Sequence, residues 1–232
     1  MDSETPSTSN AEPFLDASRL PSVRGFIHSP AGPPRDGLVL THGAGSNCRA
    51  PLLVALADAL ASAGFAVLCC DLPFRQHRPY GPPRPGDAGR DRAGLSNAVD
   101  CMRKAWFRAS GGERIFLGGQ SYGGRQATMV SAEQPHLAAG LLLLSYPLHP
   151  PGKPAQLRVQ HLPKLHVPAL FVHGTRDPFG SIDEMELALK LIPAKTELRS
   201  VEAAGHDLGC KGKSVRGQLP GEVLAAFQKF FA

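Results

Sequence analysis

Residues 119–123 read Gly-Gln-Ser-Tyr-Gly, placing Ser121 between two glycines at a spacing of two. The apolar stretch at 115–117 precedes the serine and a helix-compatible stretch follows, so Ser121 is expected where a strand turns sharply into a helix. Such a turn leaves little room beside the serine, and glycine is the residue that tolerates the crowding. Alone the match is weak, because a chain with 25 glycines produces it readily and a helix-capping serine would look the same. The downstream residues change its weight. A serine hydroxyl attacks a carbonyl only when a base takes its proton and an acid holds that base in the right tautomer. In the order serine, acid, histidine stand Asp177, in HGTRD after the apolar stretch 169–173, and His206, in AGHD after the stretch 196–201. The plainer alternatives are an Asx turn before Pro178 and a surface-loop histidine.

Other candidates are worse placed. Asp71 lies upstream of Ser121, Asp183 and Glu184 suit the positive end of a helix, and Asp207 adjoins the histidine too closely to reach its ring. His42 and His173 each precede a glycine at a strand end, where histidine more often fixes a turn than performs chemistry. Acyl transfer further requires donors aimed at the developing oxyanion. The backbone amide of Tyr122 is one candidate, and the loop His42-Gly43-Ala44-Gly45 supplies another. Ala44 is favoured there, with Gly43 and Gly45 as near alternatives. Arginines at 75, 78, 84, 90 and 92 crowd a Pro-rich stretch, and Arg125 lies in the first turn after the serine. Of these, Arg75 and Arg125 are the candidate binders of a substrate carboxylate or phosphate; a solvated Arg-rich loop is the plainer reading. Lys211, Lys213 and Arg216 are expected on a solvated face.

Elements that could position these residues are legible around them. Apolar strands are predicted at 37–41 (GLVLT), 65–70 (FAVLCC), 114–117 (RIFL), 141–145 (LLLLS), 169–173 (ALFVH) and 196–201 (TELRSV). Helices are predicted at 51–63, with proline in the first turn, and over 90–108, 122–133, 182–191 and 222–231. Residues 75–89, rich in Pro, Gly and Arg, read as loop. Strand and helix alternate, and the strands are apolar throughout, as in a parallel sheet covered on both faces. In such sheets ligand chemistry gathers at the carboxyl ends of the strands. The loops at 42–46, 119–123, 174–178 and around His206 all fall there.

Composition narrows the classes. A chain of 232 residues, 42% hydrophobic and 19% charged, fits one soluble domain and excludes a disordered chain or a small stapled scaffold. Residues 1–16 carry four acids and no Lys or Arg, and are expected to form a flexible acidic tail ahead of a single domain at 17–232. Without that tail 25 basic residues face 16 acidic ones, but they are scattered, and no nucleic-acid partner is expected. No apolar run approaches membrane-spanning length and the first residues lack a secretory pattern, so no membrane association is expected. Five cysteines without CxxC or His-paired spacing point to a reducing, cytoplasmic setting, and no HExxH or short His pair suggests a metal. Neither a cofactor nor a metal is expected, and the oligomeric state is not readable.

With these residues assembled, the chain resembles the α/β-hydrolase superfamily from about Val23 onward. Within it LTHGAGSN, GGQSYGGR, SYPLHPPGKP and HGTRDPFG are similar to a small branch akin to the testis-expressed protein thirty type and to dienelactone hydrolases. The resemblance implies Ser121 as nucleophile, Asp177 as acid, His206 as base and the loop 42–45 as oxyanion element. It also implies an eight-stranded, mostly parallel central sheet with helices on both faces, the two strands not yet located falling near residues 14–30. Many relatives insert a helical cap after the sixth strand; here only residues 146–167 are available, and five prolines leave room for little helix, so no sizeable cap is expected. The implied function is a serine hydrolase cleaving a small-molecule carboxylic ester or thioester through an acyl-enzyme. The rival is a non-catalytic binding or interaction protein that keeps the hydrolase shell.

Overall fold

Leu38, Val39 and Leu40 are consecutive, and all three are fully buried. Successive strand side chains point to opposite faces, so a strand buried along its whole length must be covered on both sides. In the computed structural model, which describes residues 11–106, 114–210 and 217–232, this is the arrangement. Strands β1 (Ala11–Asp16), β2 (Val23–His28), β3 (Asp36–Thr41), β4 (Phe65–Cys70), β5 (Ile115–Gln120), β6 (Leu141–Leu144), β7 (Ala169–Gly174) and β8 (Thr196–Val201) form one sheet in the order β1-β2-β4-β3-β5-β6-β7-β8. Pairing is parallel from β4 through β8, while β2 runs antiparallel to both β1 and β4.

Helices α1 (Pro51–Ser62) and α6 (Leu219–Phe230) cover one face. They bury Leu53, Leu56 and Phe227 against Leu38, Leu40, Phe116 and Leu142. Helices α2 (Pro73–His77), α3 (Asp87–Trp106), α4 (Tyr122–Glu133) and α5 (Ile182–Leu189) lie on the other side, where Leu95, Val99, Met102 and Met185 share a core with Val39, Leu117, Leu143 and Phe171. Neighbouring residues such as Leu142 and Leu143 thus enter different cores, each fully buried side chain contributing about 1.5–3 kcal/mol. These two layers hold the sheet rigid and leave its carboxyl edge for the loops.

Three expectations need correction. The acidic tail does not extend to residue 16, because Ala11–Asp16 pairs with β2 along its whole length and forms the sheet edge; residues 1–10 lie outside the described residues. As an edge strand β1 has no buried residue, so its composition looks like tail. Residues 75–89 are not continuous loop: α2 begins at Pro73 and α3 already at Asp87, whose carboxylate accepts the Arg84 amide at 2.6 Å and pairs with Arg78 at 2.6 Å. The last helix starts at Leu219, three residues earlier than its apolar spacing suggests. Between β6 and β7 the only helical element is a 3₁₀ turn at Leu162–Lys164, so no cap covers this edge. No described helix is long and apolar enough to cross a membrane. Lys211, Lys213 and Arg216 fall outside the described residues.

Candidate active site

The end of β5 forces Ser121 into an unusual conformation, with φ 52° and ψ −118°. A non-glycine residue there stores about 1–3 kcal/mol of strain, which the surrounding packing must hold. It does so by close approach. A Cβ on Gly119 would lie 2.9 Å from the backbone of Gly123, and one on Gly123 would lie 2.5 Å from the His42 oxygen. The Ser121 amide donates to the Leu144 oxygen of β6 at 2.8 Å, and the Ser121 oxygen accepts the Arg125 amide at 2.9 Å. The glycines expected from spacing therefore let helix α4 leave the strand abruptly, with Ser121 raised at the turn.

Asp177 follows β7 in a turn closed by its own amide donating to the Gly174 oxygen at 3.2 Å. Its carboxylate accepts the Phe179 amide at 2.9 Å. His173 Nε2 donates to the Gly180 oxygen at 2.8 Å, bracing the far end of the same loop. Across from it, Gly174 packs against the carbonyl oxygens of Ala204 and Gly205, where a side chain would collide. Two backbone links, Arg176 N–H to the Ala204 oxygen at 2.9 Å and Ala203 N–H to Thr175 Oγ1 at 2.9 Å, tie the acid loop to the histidine loop.

The three side chains meet at this edge. His206 Nδ1 lies 2.8 Å and 3.0 Å from the two carboxylate oxygens of Asp177, and His206 Nε2 lies 2.8 Å from Ser121 Oγ. A carboxylate only accepts, so Nδ1 carries the proton and Nε2 is left to accept from the serine hydroxyl. The Asp177 side chain is wholly buried and the imidazole partly exposed. Phe179 stacks on the imidazole at a centroid distance of 4.0 Å and an interplanar angle of 27°. That contact was not readable from residue types, since nothing in PFG marks which ring it covers. The rejected carboxylates are occupied elsewhere. Asp71 accepts the Cys48 amide at 2.8 Å, Asp207 accepts the Gly209 amide at 2.9 Å, and Glu184 forms a capping box with Ser181 at the start of α5.

The loop after β3 lies beside the serine: a Cβ on Gly43 would lie 3.4 Å from Ser121 Cβ. His42, fully buried, donates from Nδ1 to the Gly43 oxygen at 2.8 Å and accepts the Leu72 amide on Nε2 at 3.1 Å. Burial pushes its pKa down, which keeps this neutral tautomer. Ser46 N–H donates to the same Gly43 oxygen at 3.1 Å. In a trans peptide the amide opposes the carbonyl, so these two bonds also fix the direction of the Ala44 N–H. Gly45 has open space where a side chain would stand.

Arg75 corrects the sequence reading. Its guanidinium does not face a substrate but donates to four backbone oxygens, those of Ser46 at 2.7 Å, Ala44 at 2.8 Å, Gly81 at 2.9 Å and Arg78 at 3.1 Å. With four of its five donor positions satisfied and the residue buried, it clamps the glycine loop to the segment after α2. A second brace was missed altogether. Asp91 of α3, fully buried, accepts the Tyr122 hydroxyl at 2.7 Å and the Phe74 amide at 2.9 Å. Phe74 meets the Tyr122 ring edge-on at 5.8 Å. Arg125 differs again: its Nε is buried with no hydrogen-bond partner among the described residues. Among those residues no group of three or more His, Cys, Asp or Glu could hold a metal ion.

A family model described as an alpha/beta hydrolase domain matches residues 34–228. The chain belongs to the α/β-hydrolase family. This α/β-hydrolase is similar in structure to a dienelactone hydrolase from Anabaena variabilis, with a TM-score of 0.71 and 20% identity, over 95% of this chain and 97% of that one. It is also similar to an alpha-beta serine hydrolase homologue from Coxiella burnetii, with a TM-score of 0.71 and 18% identity over 93% and 96% of the two chains. Est1E from Butyrivibrio proteoclasticus aligns with a TM-score of 0.70 and 16% identity over 94% and 98%. At these identities the likeness concerns the fold.

Proposed function

We propose that this α/β-hydrolase is a serine hydrolase that cleaves a small carboxylic ester or thioester through an acyl-enzyme. One observation carries the reading: an unbroken hydrogen-bonded chain runs from Ser121 Oγ through His206 to the buried carboxylate of Asp177. In the first half-reaction His206 Nε2 takes the hydroxyl proton as Ser121 Oγ attacks the carbonyl carbon. Asp177 stabilises the resulting imidazolium and keeps Nδ1 as its donor. The Tyr122 and Ala44 amides hold the developing oxyanion, Gly43 keeping the loop backbone close beside Ser121. The imidazolium then protonates the departing alkoxide or thiolate. In the second half-reaction water, activated by the same imidazole, attacks the acyl carbonyl and releases the acid and the serine.

The open edge between β6 and β7 suits substrates that need no enclosing cap. The five cysteines carry no disulfide, and burial raises the Cys48 and Cys101 thiols to about 12, in keeping with the reducing cytoplasm proposed as its setting. A panel of nitrophenyl esters and acyl-thioesters of varied chain length tests the activity. Turnover of at least one member that disappears in Ser121→Ala supports it. Equal residual rates in the wild type and the variant would leave the hydrolase shell as a binding module.

A further inference from the structure

Arg125 stands four residues after Ser121, one turn into α4, where a helical side chain leans back toward the start of the helix. The adjoining wall is the segment that leaves β6. Since the Ser121 amide donates to Leu144, that segment begins beside the nucleophile, and the buried Tyr146 two residues on donates its hydroxyl to the Arg158 oxygen at 2.9 Å. Arg158 returns its guanidinium to the Pro147 oxygen at 3.2 Å, which brings it to the same rim. His161 Nε2 meets Thr128 Oγ1 of α4 at 2.8 Å, one turn below Arg125.

The two arginines form a cationic pair without a counter-ion among the described residues, and His161 behind them stays neutral. Neither Arg125 nor Arg158 is paired with a carboxylate among the described residues, and Arg125 keeps a buried, unpartnered Nε. After burial itself, the charge holding the Arg158 pKa down is Arg125; for His161, lowered to about 4, burial is followed by Arg125 and Arg92. Glu133, at the far end of α4, is paired with Arg92 at 3.1 Å. Half-buried like charges with spare donors are costly to keep together unless an anion joins them.

We propose that Arg125 and Arg158, with His161 behind them, form an anion subsite beside Ser121 that receives a carboxylate or phosphate carried by the substrate. The assignment rests on the serine-hydrolase reading for its meaning, since it names the substrate class as anionic esters. A planar guanidinium can grip such a group through two parallel bonds, which lysine cannot reproduce.

Three esters of matched size test this: neutral 4-nitrophenyl butyrate, mono-4-nitrophenyl glutarate with the charge on the acyl side, and 4-(butyryloxy)benzoate with the charge on the leaving group. One charged ester should exceed the neutral one in kcat/KM by about tenfold or more, chiefly through KM. Arg125→Met should remove most of that ratio, Arg158→Met part of it, and Arg125→Lys should restore little. A binding arm stands apart from catalysis. Inorganic phosphate or sodium glutarate, against chloride at equal ionic strength, should raise the melting temperature of the wild type and of Arg158→Met more than of Arg125→Met. The two salts distinguish phosphate from carboxylate. No preference for either charged ester together with no anion-specific stabilisation would overturn the subsite, as would a preference untouched by both methionine variants. Loss of turnover on all three esters with the thermal effect intact would instead overturn the hydrolase reading and leave the subsite standing.

Discussion

Two regions flank Ser121, and they are built on different principles. On the side of β7 and β8, Asp177 and His206 are joined to the serine through side chains whose types announce the chemistry. On the side of β3 and α2, the glycine loop is held by Arg75 and His42 while Asp91 braces Phe74 and Tyr122 beside it, and nearly every contact there ends on backbone. In the proposed reaction the first region transfers a proton, so its residues must be a hydroxyl, an imidazole and a carboxylate. The second fixes the direction of amides, for which any strong donor in the right place would serve. The reacting corner is therefore constrained in residue type and the supporting corner in position.

That contrast sets the order of expected effects. Asp177→Asn should lower turnover by about a thousandfold or more while circular dichroism and melting stay near wild type, because the asparagine amide favours the wrong histidine tautomer. Rates near wild type would mean that the acid lies elsewhere. Arg75→Met should come next, lowering kcat by about 10- to 100-fold with little change in KM, since it frees the loop proposed to donate to the oxyanion. It also strands four carbonyls and should cost about 3 kcal/mol in a urea titration. If kcat stays within twofold in the folded variant, the clamp does not act on the site. Arg75→Lys should recover only part, as one ammonium cannot span four oxygens.

Smaller still is Tyr122→Phe, which takes one of two hydrogen bonds from the buried Asp91 carboxylate. It should cost about 1–2 kcal/mol of stability and reduce kcat only a few-fold, leaving the Tyr122 amide in place. Unchanged stability would show the hydroxyl contact to be incidental. The mildest expectation concerns acid. Burial and then the nearby arginines hold His161 at about 4 in the folded chain, against 6.5 when unperturbed. Between those values the unfolded chain binds more protons, so stability is intact above about pH 6.5 and falls as pH drops toward 4. His42, lowered by burial, acts in the same direction. Melting temperatures between pH 7 and 5 should decline, and His161→Gln should flatten the decline; an identical slope would remove His161 from the cause.

The same contrast explains what was legible. Six of the eight strands were readable, five of them because their apolar residues are continuous, and the proposed serine, acid and histidine stood out because their types and order are tied to the proposed reaction. Strand β2 hides its character behind Gly25, which is required where the backbone of Cys69 comes too near for any side chain. Strand β1 borrows its order from β2 and shows none of its own in composition. Helix α2 carried a usable signal, proline at its first turn, the same feature that marked α1. The run of prolines and glycines after it masked that signal. Arg75 was misjudged for a physical reason: an arginine near a site suggests an anion, while the partners it found are carbonyl oxygens that no sequence pattern displays.

The central claim is that Ser121, activated by His206, is a nucleophile. Reaction of the intact protein with a fluorophosphonate, followed by peptide mapping in a mass spectrometer, tests it most directly. One phosphonyl group per chain on the peptide containing Ser121, absent in Ser121→Ala and greatly slowed in His206→Gln, is the expected result. Folded, monodisperse wild-type protein that stays unlabelled, or a label carried on another residue, would contradict the claim.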